Sequence, residues 1–377
     1  MVYKDFQSKR LSALGMGAMR LPCIDGDDSK IDENKTYEMV KYAIENGINY
    51  FDTAWGYHNG QSEIVMGKVL SNFDRSSFYL ATKFPGYDVS NMTKVEEIFN
   101  EQLKKCKVDY FDFYLFHNVC ETNIDMYLDP KYKIFEYLME QKKNGKIKHL
   151  GFSAHGNYET MVRFLDAYGK DLEFCQIQLN YIDWDFQSAK LKVDLLNKYG
   201  IPVWVMEPVR GGRLANLSKE HTKLLKELRP DESVVSWAFR FIQTIPSVVV
   251  TLSGMSNFEQ VKENIETFKE NKPLSDKEMT VLKKIADEML EKKTLPCTAC
   301  RYCTSHCPME LDIPELISLY NEHYFTDGGF IAPFKLATFP ENKRPSACLG
   351  CKSCEAVCPQ NIEISKALSD FSKKVGM

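Results

Sequence analysis

The segment "FYLATKFPGYDVSNMTKVEEIFNEQLKKCKVDYFDFYLFH", residues 78–117, decides the fold. It holds two continuous apolar runs, 78–84 and 110–117, with an amphipathic stretch of helical length between them. A strand wetted on one face alternates apolar and polar residues. A continuous apolar run is buried on both faces, which marks a parallel strand covered by helices. Parallel neighbours also need a long crossover, usually a helix, and residues 94–108 supply one.

The same unit repeats in both directions. Apolar runs recur at 13–21 ("ALGMGAMRL"), 48–54 ("INYFDTA"), 147–154 ("IKHLGFSA"), 174–181 ("FCQIQLNY"), 201–209 ("IPVWVMEPV") and 247–254 ("SVVVTLSG"). Between them lie helical patterns such as 34–47 and 130–145, where Ile134, Tyr137, Leu138 and Gln141 fall at helical spacing. Gly47, Gly145 and Gly169 stand where helices should close. Eight strand–helix units predict a closed (β/α)8 TIM barrel over residues 1–290. An open doubly wound sheet is the alternative, but "LGMGAMRL" lacks the G-x-G-x-x-G turn that would open it. The opening "VYKDFQSKRLSAL", residues 2–14, reads as a hairpin that plugs the bottom of the barrel.

The last stretch, 291–377, is of another kind. "CTACRYCTSHCP" (297–308) and "CLGCKSCEAVCP" (348–359) share the spacing C-x2-C-x2-C-x3-C-P and hold eight of the chain's twelve cysteines. This is the bacterial ferredoxin spacing for a 4Fe–4S cluster, in which the fourth cysteine ligates the other cluster of a pair. Cys297, Cys300, Cys303 and Cys358 are therefore assigned to one cluster, and Cys348, Cys351, Cys354 and Cys307 to the second. Zinc ribbons use separated C-x2-C pairs rather than a triple plus one. A helix is expected from Pro314 to about His323, within a small ferredoxin-like α+β iron–sulfur domain. The remaining cysteines, Cys23, Cys106, Cys120 and Cys175, are scattered and read as small packing or surface residues.

At 377 residues and 44% hydrophobic, the chain can bury one large core and a small appendage. A net charge of −4 points away from nucleic acid, and no apolar run could span a bilayer. The opening residues lack an apolar signal segment, so a soluble, cytoplasmic protein with no membrane partner is expected.

In a barrel the chemistry sits where strands end. Asp52, Lys83 and His117 close successive apolar runs, and Tyr57 follows Asp52 in the loop "TAWGYHNGQSE". A lone buried His or Lys at a strand end is more often structural. Four such groups on one rim are not a lone group.

With these flanks the chain resembles the aldo-keto reductases. "FDTAWGYHNGQSE", "ATK", "FHN", "GFSAHG", "MEPVRGG" and "SGMSNFEQVKEN" carry the resemblance, in order, over roughly residues 1–290. With the cysteine runs, the whole resembles the iron–sulfur-bearing branch of that family. The resemblance implies an oxidoreductase that moves a hydride between NAD(H) or NADP(H) and a small carbonyl or alcohol substrate. Tyr57 would be the general acid and Lys83 would lower its pKa. Asp52 would hold Lys83 charged, and His117 would orient the carbonyl oxygen.

By the same resemblance Ser153 and Gln176 would hold the nicotinamide carboxamide, with Ala154 standing where the family often has Asn. Gly211, Gly212 and Arg210 or Arg213 would border the pyrophosphate, and Met19 and Glu207 would be further cofactor contacts. Ser253, Gly254, Met255, Ser256, Gln260, Glu263 and Asn264 would cover the adenosine. No Lys or Arg stands at Gly254 or Gln260 to clamp a 2′-phosphate. Arg20, Trp55 and His58 share the rim, Arg20 as either an anion contact or a surface ion pair.

A hydride carries two electrons and a 4Fe–4S cluster takes one, so a mediator such as FMN is a further candidate cofactor. A ferredoxin or flavodoxin is a candidate redox partner. The reading from a different class is an electron carrier whose barrel is only a docking scaffold.

Overall fold

The run at residues 78–84 forms a strand, and its neighbours do too. The computed structural model describes residues 1–291, 294–297, 300–301, 303–358 and 360–377. A hairpin comes first, β1 (Tyr3–Phe6) antiparallel to β2 (Lys9–Ser12). Eight strands follow: β3 (Leu14–Gly17), β4 (Tyr50–Asp52), β5 (Tyr79–Phe84), β6 (Phe111–Val119), β7 (Ile147–Ala154), β8 (Cys175–Gln178), β9 (Val203–Met206) and β10 (Val248–Gly254). They close in the order β10-β3-β4-β5-β6-β7-β8-β9, every pair parallel. Helices fill the crossovers, among them Glu33–Glu45, Ser62–Leu70, Val95–Cys106 and Tyr158–Tyr168. Asp32, Asn157 and Asn257 cap helix starts, each accepting a backbone N–H three residues on.

The hairpin plugs the barrel as expected. Phe6 is buried among Tyr50, Phe113, Phe174 and Trp204, with its ring edge-on to Trp204 at 5.0 Å. Burying such a ring contributes about 1.5–3 kcal/mol. The bottom of the barrel is thus solid aromatic packing, and the polar strand ends lie at the other end.

One irregularity matters for the site. The β6–β7 register shifts between Phe116 and Val119. The bulge spans His117 and Asn118, and Asn118 takes φ 56°. Asn tolerates this left-handed conformation better than most residues.

The chain divides into two compact units, Met1–Leu282 and Lys283–Met377, with the division inside the helix Asp276–Glu291. The second unit has helices Ile313–Phe325, Ile331–Leu336 and Ile364–Val375, and no strand is assigned among its described residues. The first of these contains the helix expected from Pro314 to His323. Its own small core joins Leu311, Ile313, Leu316, Ile317, Leu368 and Phe371 to the buried thiols Cys303 and Cys354.

Candidate functional site

Lys83 is the centre of the barrel's open rim. It lies in β5, a strand buried along nearly its whole length, so its ammonium must find partners inside the protein. It donates to Asp52 Oδ1 at 2.6 Å, to the Thr53 carbonyl at 2.8 Å and to the Tyr57 hydroxyl at 3.4 Å. Asp52 ends β4, and Thr53 and Tyr57 follow it, so one strand end and its loop serve all three donors. His117 is edge-on to Tyr57 at 6.0 Å and to Tyr87 at 5.0 Å. The four expected residues are therefore together.

Their electrostatics depart from expectation in one respect. Burial raises the Tyr57 phenol above its ordinary value, and the nearby Lys83 only partly opposes this. Lys83 does not produce a net lowering, because a buried phenolate loses more from desolvation than one ammonium returns. For Lys83 itself, burial works against the charge, but Asp52 and Tyr57 outweigh it and hold the ammonium charged. Burial also pushes Asp52 up against the pull of Lys83. At 2.6 Å the proton belongs on the lysine, the stronger base. Burial, then Lys83 and His155, keep His117 well below the usual imidazole range, so the ring is neutral.

A second layer of contacts escapes sequence reading. Gln102 donates to the Lys83 carbonyl at 2.9 Å and to Glu63 Oε1 at 2.7 Å, while Thr82 donates to the same oxygen at 2.6 Å. Glu63 is fully buried, and burial raises its pKa. The only signal was its place in the quoted "NGQSE".

His58, next to Tyr57, is buried and ties two loops. Its Nε2 accepts the Leu21 N–H at 3.0 Å. Its Nδ1 lies 2.9 Å from the Asp28 carbonyl and 3.0 Å from Asp28 Oδ1. With Cys23 Sγ at 3.6 Å, the group has the donor types of a metal site. The Leu21 amide argues otherwise. It requires a lone pair on Nε2, which places the proton on Nδ1, the atom a metal would need. The group is a strut between the Tyr57 turn and the loop after β3. Beside it opens a cavity of about 790 Å³, bordered by Met19, Arg20, Lys35 and Phe258.

Ser153 and Gln176 are register partners across β7 and β8, both buried. Ser153 Oγ accepts the Asn118 N–H at 2.8 Å, and Gln176 Oε1 is buried without a hydrogen-bond partner. Glu207 follows β9 directly, with φ 56°. Burial raises its carboxyl, with Arg20 opposing. Gly211 and Gly212 take φ 65° and 91° in the following loop. Arg210 is buried with its Nε 3.0 Å from Asp183 Oδ1, so its charge is already paired. Arg213 opens a short 3-10 turn.

Around β10, Ser253 accepts from Asn264 at 3.0 Å and Gln260 accepts the Ser256 N–H at 2.8 Å. Met255 is fully buried, Glu263 is exposed, and Met19 is 44% exposed. Arg20 is exposed, and its stem crosses Gly254, where a Cβ would stand only 3.2 Å away. Lys262 is exposed, with its Nζ 4.7 Å from the Phe258 ring centre. Trp55 lies under Lys105 at 3.6 Å.

In the second unit the cysteines group across the two runs. Cys297, Cys300, Cys303 and Cys358 line one cavity with Ile313 and Ile317. Cys307, Cys348, Cys351 and Cys354 line another with Leu311 and Leu368. Four soft sulfur donors against apolar walls suit an iron–sulfur cluster in each. The Leu311 N–H lies 3.5 Å from Cys307 Sγ. Cys106, Cys120 and Cys175 are buried elsewhere, and Cys23 is partly exposed. Among the described residues no helix is long and apolar enough to cross a membrane.

A family model described as Aldo/keto reductase family matches residues 13–287, and one described as 4Fe-4S dicluster domain matches residues 296–363. The NADH-specific methylglyoxal reductase of Escherichia coli (strain K12) is 25% identical over 325 residues, covering 74% of this chain and 96% of that protein. The uncharacterized oxidoreductase YqkF of Bacillus subtilis (strain 168) is 25% identical over 287 residues, covering 68% and 87%. The holo form of aldo-keto reductase AKR11C1 from Bacillus halodurans superposes with a TM-score of 0.62 at 25% identity, covering 76% of this chain and 96% of that one.

Proposed function

Because the chain belongs to the aldo/keto reductase family and carries a 4Fe–4S domain, we propose that it reduces small carbonyl compounds with a nicotinamide, or oxidises the corresponding alcohols. The observation that carries this reading is the three-way binding of Lys83 to Asp52, Thr53 and Tyr57. It presents one phenol, backed by a fixed positive charge, on an open rim.

The bound nicotinamide supplies or takes the hydride. The chain's own residues handle the proton and the charge. Tyr57, protonated at neutral pH, gives its proton to the carbonyl oxygen as negative charge builds there. Lys83 stabilises the phenolate that forms, and Asp52 keeps Lys83 in place. Neutral His117 donates a hydrogen bond to the same oxygen and fixes its direction. Ser153 and Gln176 would hold the carboxamide, and the unpartnered Gln176 oxygen supports that fit. Arg20, exposed beside Gly254 and Gly211, would face the cofactor phosphates in place of Arg210.

Two 4Fe–4S clusters, one in each four-thiol cavity, would supply one-electron transfer. Coupling them to hydride chemistry needs a group that handles both. FMN is that candidate, with a ferredoxin or flavodoxin as external partner. The E. coli relative makes methylglyoxal and NADH the first pair to try. The test uses anaerobically purified full-length protein. Its iron, sulfide, flavin and nicotinamide are measured, and NADH and NADPH oxidation is followed with methylglyoxal and other small aldehydes. Aldehyde-dependent oxidation that Tyr57→Phe abolishes is expected. Failure of both nicotinamides with every aldehyde, in protein holding its full iron, overturns the reading.

A further inference from the structure

We propose that Asn118 is a third contact for the cofactor's carboxamide, supplied by β6 where β7 offers only Ala154. This rests on the nicotinamide reading above. The β6 bulge fixes the Asn118 backbone on both sides. Its N–H donates to Ser153 Oγ at 2.8 Å, and its carbonyl accepts from Asn123 Nδ2 at 2.8 Å. Its side-chain Oδ1 is nevertheless buried with no hydrogen-bond partner among the described residues. A buried oxygen without a donor is costly, and a ligand that supplied an N–H to it would relieve that cost.

Two more polar atoms complete the pattern. Gln176 Oε1 is a second buried oxygen without a partner, on the residue paired with Ser153 across β7–β8. Ser153 Oγ already accepts the Asn118 N–H, which leaves its own proton to donate. Ser153 thus offers one donor, with acceptors on the residues flanking it. A primary carboxamide is the complement, with one carbonyl oxygen and two N–H groups. Val119, which follows Asn118, is the register partner of Ala154. The amide that Ala154 lacks therefore stands one residue from its neighbour on the next strand.

The experiment compares NADH with ADP-ribose, which lacks the nicotinamide, on the full-length protein by calorimetry. Asn118→Gly removes the side chain yet suits φ 56° without strain. Asn118→Asp keeps the acceptor oxygens in a residue that also tolerates that conformation. Asn118→Gly is expected to weaken NADH about tenfold and leave ADP-ribose unchanged, the loss of one hydrogen bond in affinity terms. Asn118→Asp should stay within about threefold of wild type. The proposal is overturned if Asn118→Gly weakens both ligands equally, if it weakens neither, or if Asn118→Asp fails alongside it. Should the wild-type protein bind ADP-ribose as tightly as NADH, the nicotinamide reading itself falls, an outcome distinct from the others.

Discussion

At the barrel rim Lys83 has three protein partners, two of them within 2.8 Å, and a buried carboxylate matches its charge. In the second unit Cys303 has Cys297, Cys300 and Cys358 as electrostatic neighbours, and Cys354 has Cys348 and Cys307. Four thiols facing one another repel as soon as they ionise. The rim is assembled from charges the chain itself balances. The tail gathers thiols whose charge, once they ionise, a metal centre would balance. The rim is complete in the folded chain, and on the proposal above the tail is completed by its clusters.

The largest expected effect tests that difference directly. Removing the iron altogether should unfold the second unit and leave the barrel intact, since metal binding and folding are one process in small metal domains. Hydrogen exchange would show Ile313–Phe325 and Ile364–Val375 losing protection while β5 and β6 keep theirs. A tail that stays protected without iron breaks the comparison. The same material tests the crossed grouping. Reduced Cys358→Ser and Cys297→Ser should disturb the same paramagnetic signal, and Cys348→Ser the other. If Cys358→Ser instead resembles Cys348→Ser, each run serves its own cluster.

The next effect belongs to the rim. Tyr57→Phe should lower carbonyl reduction by about 10²–10⁴ while cofactor affinity holds, the range typical of a lost general acid. The phenol's raised pKa keeps it protonated across the neutral range, so the alkaline fall in rate should come above pH ~10. The lowered pKa of His117 predicts no acid limb near ~6.5. A limb at neutrality would mean that another group supplies the proton.

The buried pair itself comes next, with an effect of similar size. Lys83→Met should destabilise the barrel by about 3–5 kcal/mol, because Asp52 is left charged and alone. Adding Asp52→Asn should recover part of that loss in denaturant unfolding. No recovery would show that the cost lay in packing and not in charge.

The two regions also differ in how much of each the sequence discloses. The tail is written in local spacing, so its eight candidate ligands can be read from one dozen residues at a time. The barrel was legible through its doubly buried strands, and Asp52, Tyr57, Lys83 and His117 through their flanking motifs. What stayed hidden joins distant positions. Glu63 with Gln102, His58 with Leu21 and Asp28, and Arg210 with Asp183 are all pairs made by closing the barrel. No period or spacing connects them. The net upward shift of Tyr57 was hidden for a related reason, since desolvation depends on everything packed around the ring.

The smallest expected effect follows from those hidden pairs. The loops that would meet the pyrophosphate and the adenosine have committed their polar groups internally: Arg210 to Asp183, Gln260 to the Ser256 N–H, and Asn264 to Ser253. The cations left nearby are Lys262, exposed over Phe258, and Arg20, stretched across Gly254. Lys262 is set over an aromatic ring, and the charge of Arg20 already acts on the Glu207 carboxyl. NADH should therefore bind at least as well as NADPH, where a charge-assisted contact would favour NADPH by about tenfold to a hundredfold. Titration of the full-length protein with both cofactors, repeated with Arg20→Gln and Lys262→Gln, decides it. If NADPH wins and one of those variants erases its advantage, that side chain closes on the phosphate when the cofactor arrives. The rim would then share with the tail a dependence on its ligand for its final form.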